Sequence, residues 1–312
     1  MLHILFSLTL GIILFLGGMK VMQTGLYTLA GDRLKLEIVR FTRTPFRGLV
    51  TGTIFTALLQ SSSAVSVITI GLTHAQLLSF RQTIGIILGA NIGTTFTTQL
   101  IAINIGQIAY PLFIIGCTLL LIPKKSIRFS GLSITGFGCI LIAMNVMQSI
   151  AIPLQKTSFF TQTIPHLSEH LVYGLLLGTG LTALIHSSSG VTALTMGFMN
   201  EHLFPLTTAI AIILGSNVGT CISAVMAAVG ANVAAKQVAW VHVFLNVAGV
   251  LLFYPFIYIM AQAVPFLSSQ PDQQIAHIQT FFNVLCSLLA IPFTKQIAWM
   301  ATKFYPNEPF KK

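Results

Sequence analysis

The stretch "TALLQSSSAVSVITIGLTHAQLLSFRQTIGIILGANIGTTFTT", residues 56–98, decides how the rest of the chain is read. It sets three consecutive serines, Ser61, Ser62 and Ser63, inside a long apolar run, and follows them with Gly-x-Asn-x-Gly-Thr from Gly89. A hydroxyl taken out of water without a partner costs on the order of 1–3 kcal/mol, so the triplet needs a physical reason. The same wording returns from Thr182 as "TALIHSSSGVTALTMG", followed by "GSNVGT" from Gly215. At an offset of 126 residues, 56–98 align with 182–224 without a gap, and about 18 of the 43 positions are identical. The identities are richest where residues are polar or glycine. They pair Ser61, Ser62 and Ser63 with Ser187, Ser188 and Ser189, Asn91 with Asn217, and Thr94 with Thr220.

The surrounding composition names the solvent. Of 312 residues, 54% are hydrophobic and 7% charged, and mean hydropathy is +0.87. A soluble domain carries roughly 25% charged residues. Apolar runs recur from end to end without period-two alternation, which predicts an all-α polytopic membrane protein, embedded in a lipid bilayer at the cell membrane, and excludes a β-barrel. The N-terminal run lacks a basic flank and reads as a first membrane helix, not a cleaved signal. The net charge of +10 comes from short clusters between apolar runs: Arg33 to Arg47, Lys124 to Arg128, and Lys295 to Lys312. That pattern fits cytoplasmic loops and not a nucleic-acid surface. Cys117, Cys139, Cys221 and Cys286 form no CxxC pair and read as packed thiols.

The charge pattern also sets an expected topology. Apolar segments cover about 3–29, 48–75, 82–103, 107–122, 129–152, 171–199, 205–229, 237–260 and 276–300. If all crossed, the first two basic loops would face opposite sides, against the positive-inside rule. If 48–75 and 171–199 each enter and leave on one side, every basic loop becomes cytoplasmic. Each of these segments is too long for one crossing of about 20 residues and too short for two. The expected architecture is therefore a single transport domain, 1–312, of two inverted repeats, about 44–152 and about 170–303. Each repeat is a re-entrant hairpin plus three crossing helices, with the 3–29 helix extra. The segments Pro153–His170 and Ala261–Ala276 are expected as loops.

A break inside the membrane exposes backbone groups, which is tolerated only in protein or beside a watery cavity. Serine at a helix start caps free N–H groups, and a half-helix beginning near Ser62 or Ser63 aims its positive end at the midplane, where it suits an anion. The half-helix ending near Gln60 leaves carbonyls that suit Na⁺. Such broken helices at a repeat interface are the architecture of secondary transporters. The Gly-x-Asn-x-Gly-Thr motifs are expected to mark a second break opposite each tip. The competing reading is that small residues simply mark close helix packing.

No acidic residue falls within a span; Asp32, Glu37, Glu169, Glu201, Asp272 and Glu308 sit in loops or at segment ends. That argues against a carboxylate proton relay, and the absence of a Walker A sequence argues against nucleotide hydrolysis. No enzyme activity and no cofactor beyond a coupling ion is expected. Lys20 is the one cation deep in a helix and can hold an anion or snorkel. His242 with Asn246, and Gln279 with Asn283, share helix faces and either line a cavity or pin helices together.

"QSSSA" with "GANIGTT", repeated as "HSSSG" with "GSNVGT", resembles the sodium-dependent phosphate cotransporter family, the type II Na⁺/phosphate transporters and their bacterial relatives. "FLGGMKVMQTGL" from Phe15 and "TFFNVL" from Thr280 are similar to that family as well. The resemblance implies Na⁺-coupled uptake of inorganic phosphate by alternating access. It implicates Gln60, Ser61, Ser62, Ser63, Ser187, Ser188 and Ser189 in binding and places Asn91, Thr94, Asn217 and Thr220 near them. Na⁺ is expected at Gln60, Ser61, Thr94, Ser187 and Thr220. His186 stands where the family pattern has Gln, which bears on coupling and pH response because imidazole titrates near neutrality. Some relatives carry a C-terminal domain resembling the regulator PhoU; with the chain ending at Lys312, such regulation is expected from a separate protein. The alternatives are a Na⁺-coupled dicarboxylate or amino-acid transporter, disfavoured by the lack of an intramembrane arginine, and a non-transporting sensor with the same fold.

Overall fold

The computed structural model describes residues 2–31, 33–103 and 108–306; Asp32, Glu308, Lys311 and Lys312 lie outside them. All regular structure among the described residues is helical. The first half runs α1 (Leu2–Ala30), α2 (Arg33–Phe41), α3 (Pro45–Leu59), α4 (Ser62–His74), α5 (Phe80–Ala102), α6 (Ala109–Leu120) and α7 (Lys125–Gln155). The second half runs α8 (Ser158–Glu169), α9 (Leu171–Ile185), α10 (Ser188–Asn200), α11 (Leu206–Gly219), α12 (Cys221–Ala228) and α13 (Val233–Phe253). It closes with α14 (Ile257–Ala263), α15 (Pro271–Ala290) and α16 (Thr294–Phe304). Among the described residues six helices are long and apolar enough to cross a membrane: Ile4–Ala30, Phe80–Ala102, Lys125–Gln155, Leu206–Ala228, Val233–Phe266 and Pro271–Phe304.

Both expected breaks are present. Helix α3 stops at Leu59, Gln60 turns left-handed at φ 54°, and Ser61 is extended before α4 begins at Ser62. Helix α9 stops at Ile185, His186 turns left-handed at φ 54°, and Ser187 is extended before α10 begins at Ser188. The contacts of α5 fix where α4 goes. A Cβ on Gly85 would strike the Pro45 carbonyl, one on Gly89 the Leu49 carbonyl, and one on Gly93 would come within 2.5 Å of the Thr56 Cβ. Both series rise together, so α3 and α5 are parallel. Gln82 Nε2 donates to Thr42 O at 2.6 Å, so α5 starts beside the start of α3. Helix α4, of 13 residues and about 20 Å, carries the chain back. In the second half the equivalent contacts recur: Gly178 against Ile212, Gly215 against Leu175, and Gly219 against Thr182.

Four expectations are corrected, the first being the loop at Ala261–Ala276: it is helical through Phe266 and again from Pro271, where α15 begins. The Gly-x-Asn-x-Gly-Thr motif is no break in the first half, since α5 runs uninterrupted from Phe80 to Ala102; in the second half only Thr220, itself in right-handed helical geometry, separates α11 from α12. The glycines are there because the α3 and α9 backbones press directly on them. The 107–122 segment forms a helix of only 12 residues, about 18 Å, short of a crossing and packed antiparallel on α7, with Gly116 against Thr135 and Gly138 against Phe113. The Pro153–His170 segment is largely helical: Thr157 Oγ1 accepts from Phe160 N, and Phe160 and Ile164 turn onto the main core. At His170, α8 and α9 meet at 112°.

The open ends of the two units meet different neighbours. His74, ending α4, accepts from Asn232 N at its Nδ1 (3.1 Å) and from Asn232 Nδ2 at its carbonyl (3.0 Å); Asn232 lies just beyond α12. Asn200, ending α10, donates to Asp272 Oδ2 at 2.9 Å, and Glu201 O accepts from Gln155 Nε2 at 3.1 Å. Gly174, near the start of α9, faces Thr208 and Ala211 near the start of α11.

The seam can be tested by substitution. Gly89→Ala and Gly215→Ala force side chains into backbone and should each destabilise by roughly 1–3 kcal/mol. Gly71→Ala and Gly180→Ala, where a Cβ meets nothing within 4 Å, should be neutral or stabilising by up to about 1 kcal/mol. Melting of the detergent-purified variants reads the difference; four equal shifts would contradict the seam.

Candidate functional site

The two breaks converge on one cavity of about 480 Å³, lined by Gln60, Ser61, Ser62 and Ser63 from one tip and His186, Ser187, Ser188 and Ser189 from the other. Helix α5 adds Thr94 and Thr97, and α1 adds Leu16, Met19, Lys20 and Gln23. Helix α1 reaches the cavity because Gly11, Gly18 and Gly25, spaced every seven residues, let it lie tightly on α7: a Cβ on Gly18 would sit 2.7 Å from the Cys139 Cβ.

Each tip is built the same way. Ser61 Oγ accepts from Ala64 N at 3.1 Å, and Ser187 Oγ accepts from Gly190 N at 3.1 Å. Each cap satisfies one first-turn donor. The N–H groups of Ser62 and Ser63, and of Ser188 and Ser189, have no acceptor within their own helices. They stand at the positive ends of α4 and α10, beside the cavity that their side chains line. Lys20 is the one ammonium among the lining residues, and no lining side chain is acidic. Donors, two helix N-termini and one cation make the cavity electropositive.

The tips differ at their left-handed residue, a conformation that costs a non-glycine residue roughly 1–2 kcal/mol. Gln60 is buried; its Nε2 donates to Ala57 O at 2.5 Å, and its own carbonyl accepts from Gln23 Nε2 at 2.9 Å. Its Oε1 is buried with no donor. His186 is exposed and its side chain makes no hydrogen bond among the described residues; it does not close its tip by bonding backbone.

Nine of the twelve residues singled out in the sequence thus line the cavity. Asn91, Asn217 and Thr220 do not. Asn91 Nδ2 points at Asn246 Oδ1 at 3.4 Å, Asn217 Nδ2 donates to Ile213 O at 2.8 Å, and the Thr220 hydroxyl donates to Ser216 O at 2.9 Å. His242, Asn246, Gln279 and Asn283 are buried away from the cavity; Asn246 and Gln279 bond across helices, Gln279 Oε1 accepting from the Thr192 hydroxyl at 3.3 Å, while among the described residues Asn283 bonds only its own helix and the His242 ring has no partner. Gln23 and Thr97 were not legible as site residues: both lie outside the serine motifs, Gln23 outside the repeat altogether.

A multi-pass helical protein whose broken helices meet at one electropositive cavity has the architecture of a membrane transporter. The chain belongs to the Na⁺/Pi-cotransporter family, whose profile matches residues 14–149 and 155–285. It is 42% identical over 291 residues to the protein YqeW of Bacillus subtilis, covering 93% of this chain and 95% of that one. It is 24% identical over 307 residues to the "Putative inorganic phosphate export protein YjbB" of Escherichia coli, covering 98% of this chain and 56% of that protein. A segment of 84 residues is 42% identical to the sodium-dependent phosphate transport protein 2C of Mus musculus, covering 26% of this chain and 14% of that one. No solved structure matches the chain.

The asymmetry of the tips predicts opposite responses to glycine. His186→Gly relieves the backbone without losing a bond and should melt at or above the parent. Gln60→Gly loses the Ala57 bond and buried packing and should melt lower, by about 1 kcal/mol. Matching behaviour of the two in a detergent melting series would show that the tips are energetically equivalent.

Proposed function

We propose that the chain is a secondary transporter that couples inorganic phosphate to Na⁺ and moves both inward by alternating access. The observation that carries this reading is the facing pair of serine-capped helix N-termini, with Lys20, around one cavity. Backbone N–H groups converging from two directions suit a compact, multi-oxygen anion. A dicarboxylate has two separated charges, and the lining residues include no arginine to grip either one bidentately. The Gln60 Oε1, a buried acceptor without a donor, suits Na⁺, which prefers oxygen. Ser61, Ser187 and Thr94 supply further oxygens beside the same space.

Alternating access is supported by an inverted relation between the repeats. Helices α11 and α12 lead from the start of α9 to Asn232, which bonds His74 at the open end of the first unit. The second unit opens at Asn200 and Glu201, beside the ends of α7 and α15 that carry Gln155 and Asp272. The two units then open toward opposite faces, and one substrate can be approached through either. Export, the activity in the name of YjbB, is a second reading of direction; with Na⁺ coupling, direction follows the imposed gradients.

Two measurements test this. Proteoliposomes under an inward Na⁺ gradient should accumulate labelled phosphate, with arsenate competing. Ser62→Ala and Ser188→Ala should each lower uptake about tenfold or more, the loss expected for a hydrogen bond to a charged group. Equal uptake with K⁺ in place of Na⁺ refutes coupling. For orientation, cysteines at Gln76 and His202, exposed and repeat-related at the open ends, should react with an impermeant thiol reagent from opposite faces in a cysteine-free background. Reaction of both from one face refutes the inversion.

A further inference from the structure

We propose that the base of the α3–α4 unit carries a second anion site, separate from the serine cavity, for phosphate-group anions. A pocket of about 600 Å³ there is lined by Arg43, Arg81 and Lys295 together with Thr44, Ser79 and Thr294. The three cations come from segments far apart in sequence, and no lining residue is acidic. Among the described residues the only ion pair is Arg40 with Glu37, so none of the three has a counter-charge. A preference for basic residues on one face explains their sign. It does not explain why three of them, all exposed, line one concavity.

The pocket is preorganised. Helices α3 and α5 both begin at it, with Thr44 and Ser79 as the residues preceding them, while Thr294 lies on the continuous Pro271–Phe304 helix. The positive ends of α3 and α5 add to the side-chain charge. Gln82 locks these two starts together. Its Nε2 donates to Thr42 O at 2.6 Å, while its Oε1 accepts from Ser79 N at 2.8 Å and from Ser79 Oγ at 2.7 Å. Thr294 is only 9% exposed, lines the pocket, and its hydroxyl makes no hydrogen bond. A largely buried threonine whose accessible hydroxyl has no protein partner among the described residues, beside three cations, offers a donor to a tetrahedral oxyanion. Two guanidiniums offer paired donors that match phosphate oxygens.

The site lies at helix ends, where the bilayer surface would be. Its ligand can therefore be a soluble phosphate or the phosphodiester of an anionic lipid. Helices α3 and α5 run from this pocket to the serine cavity, ending at Gln60 and carrying Thr94. An anion bound here braces the base on which the first tip stands.

The test uses the full chain carrying Ser62→Ala and Ser188→Ala, so that binding in the serine cavity is weakened, and the cation variants below assign what remains, which keeps failure of the transport reading separate. Melting is followed at fixed ionic strength in detergent with inorganic phosphate or pyrophosphate. It is followed again in nanodiscs of phosphatidylcholine with or without phosphatidylglycerol. A rise with the soluble anions identifies a solute site; a rise with phosphatidylglycerol alone identifies a lipid site. Adding Arg43→Gln, Arg81→Gln and Lys295→Gln should raise the half-saturating concentration at least about tenfold. Arg43→Lys, Arg81→Lys and Lys295→Arg together should keep the rise, which separates lost charge from misfolding. If the triple Gln chain does not fold, Lys295→Gln alone serves and should weaken the response about threefold. No rise in either medium, or an equal rise without the cations, overturns the proposal.

Discussion

The fold depends on one constraint: a helix broken inside a bilayer must satisfy its own terminal backbone groups, because no lipid atom will. The chain meets it twice with the same device. Gln60 and His186 reverse the backbone in a left-handed conformation, and Ser61 and Ser187 cap the helix that follows. A single hydroxyl serves one of the first donors and leaves others open. Those open donors cannot face lipid, so the two tips face each other across a shared cavity. The same deficit that makes each break costly makes the cavity receptive to an anion.

Holding the tips in place falls to glycine. Helices α3 and α9 are too short to be positioned by length alone, and each lies backbone to backbone along a parallel partner that belongs to a longer span, α5 or the α11–α12 span. Direct backbone contact leaves no side chain to change rotamer, so the depth of each tip is fixed by helix geometry. Helix α1 is held in the same way on α7, and this brings Lys20 and Gln23 to the cavity. Close packing through small residues is the available route to tight association where apolar burial gives helices no preference over lipid.

The legible part of the sequence was the part where polarity contradicts its surroundings. Serine triplets in apolar runs gave the breaks to within a residue, and clustered arginines and lysines gave the expectation that 48–75 turns back. What stayed hidden depends on neighbours. A glycine within a helix reads equally as a weak point or as a contact, and only the facing helix decides; Gly89 and Gly215 are contacts. The asparagines of the same motifs looked like ligands but spend their amides on Asn246 and Ile213 O. Gln23 carried no signal because it lies outside the repeat and its partner, the Gln60 carbonyl, is 37 residues away.

The two tips share a backbone but not an energy. Gln60 is bonded at its amide and its carbonyl, and the second bond comes from α1, itself locked to α7. His186 has no such tether among the described residues, and where its unit meets α1 at Gly190 the neighbours are apolar, Phe15 and Leu16. Polar tethers in a low-dielectric setting resist displacement more than dispersion contacts do. Duplicated backbones therefore do not imply duplicated anchoring: a hydrogen bond ties the first tip to the one helix the repeat does not copy, and the second tip has no such bond among the described residues.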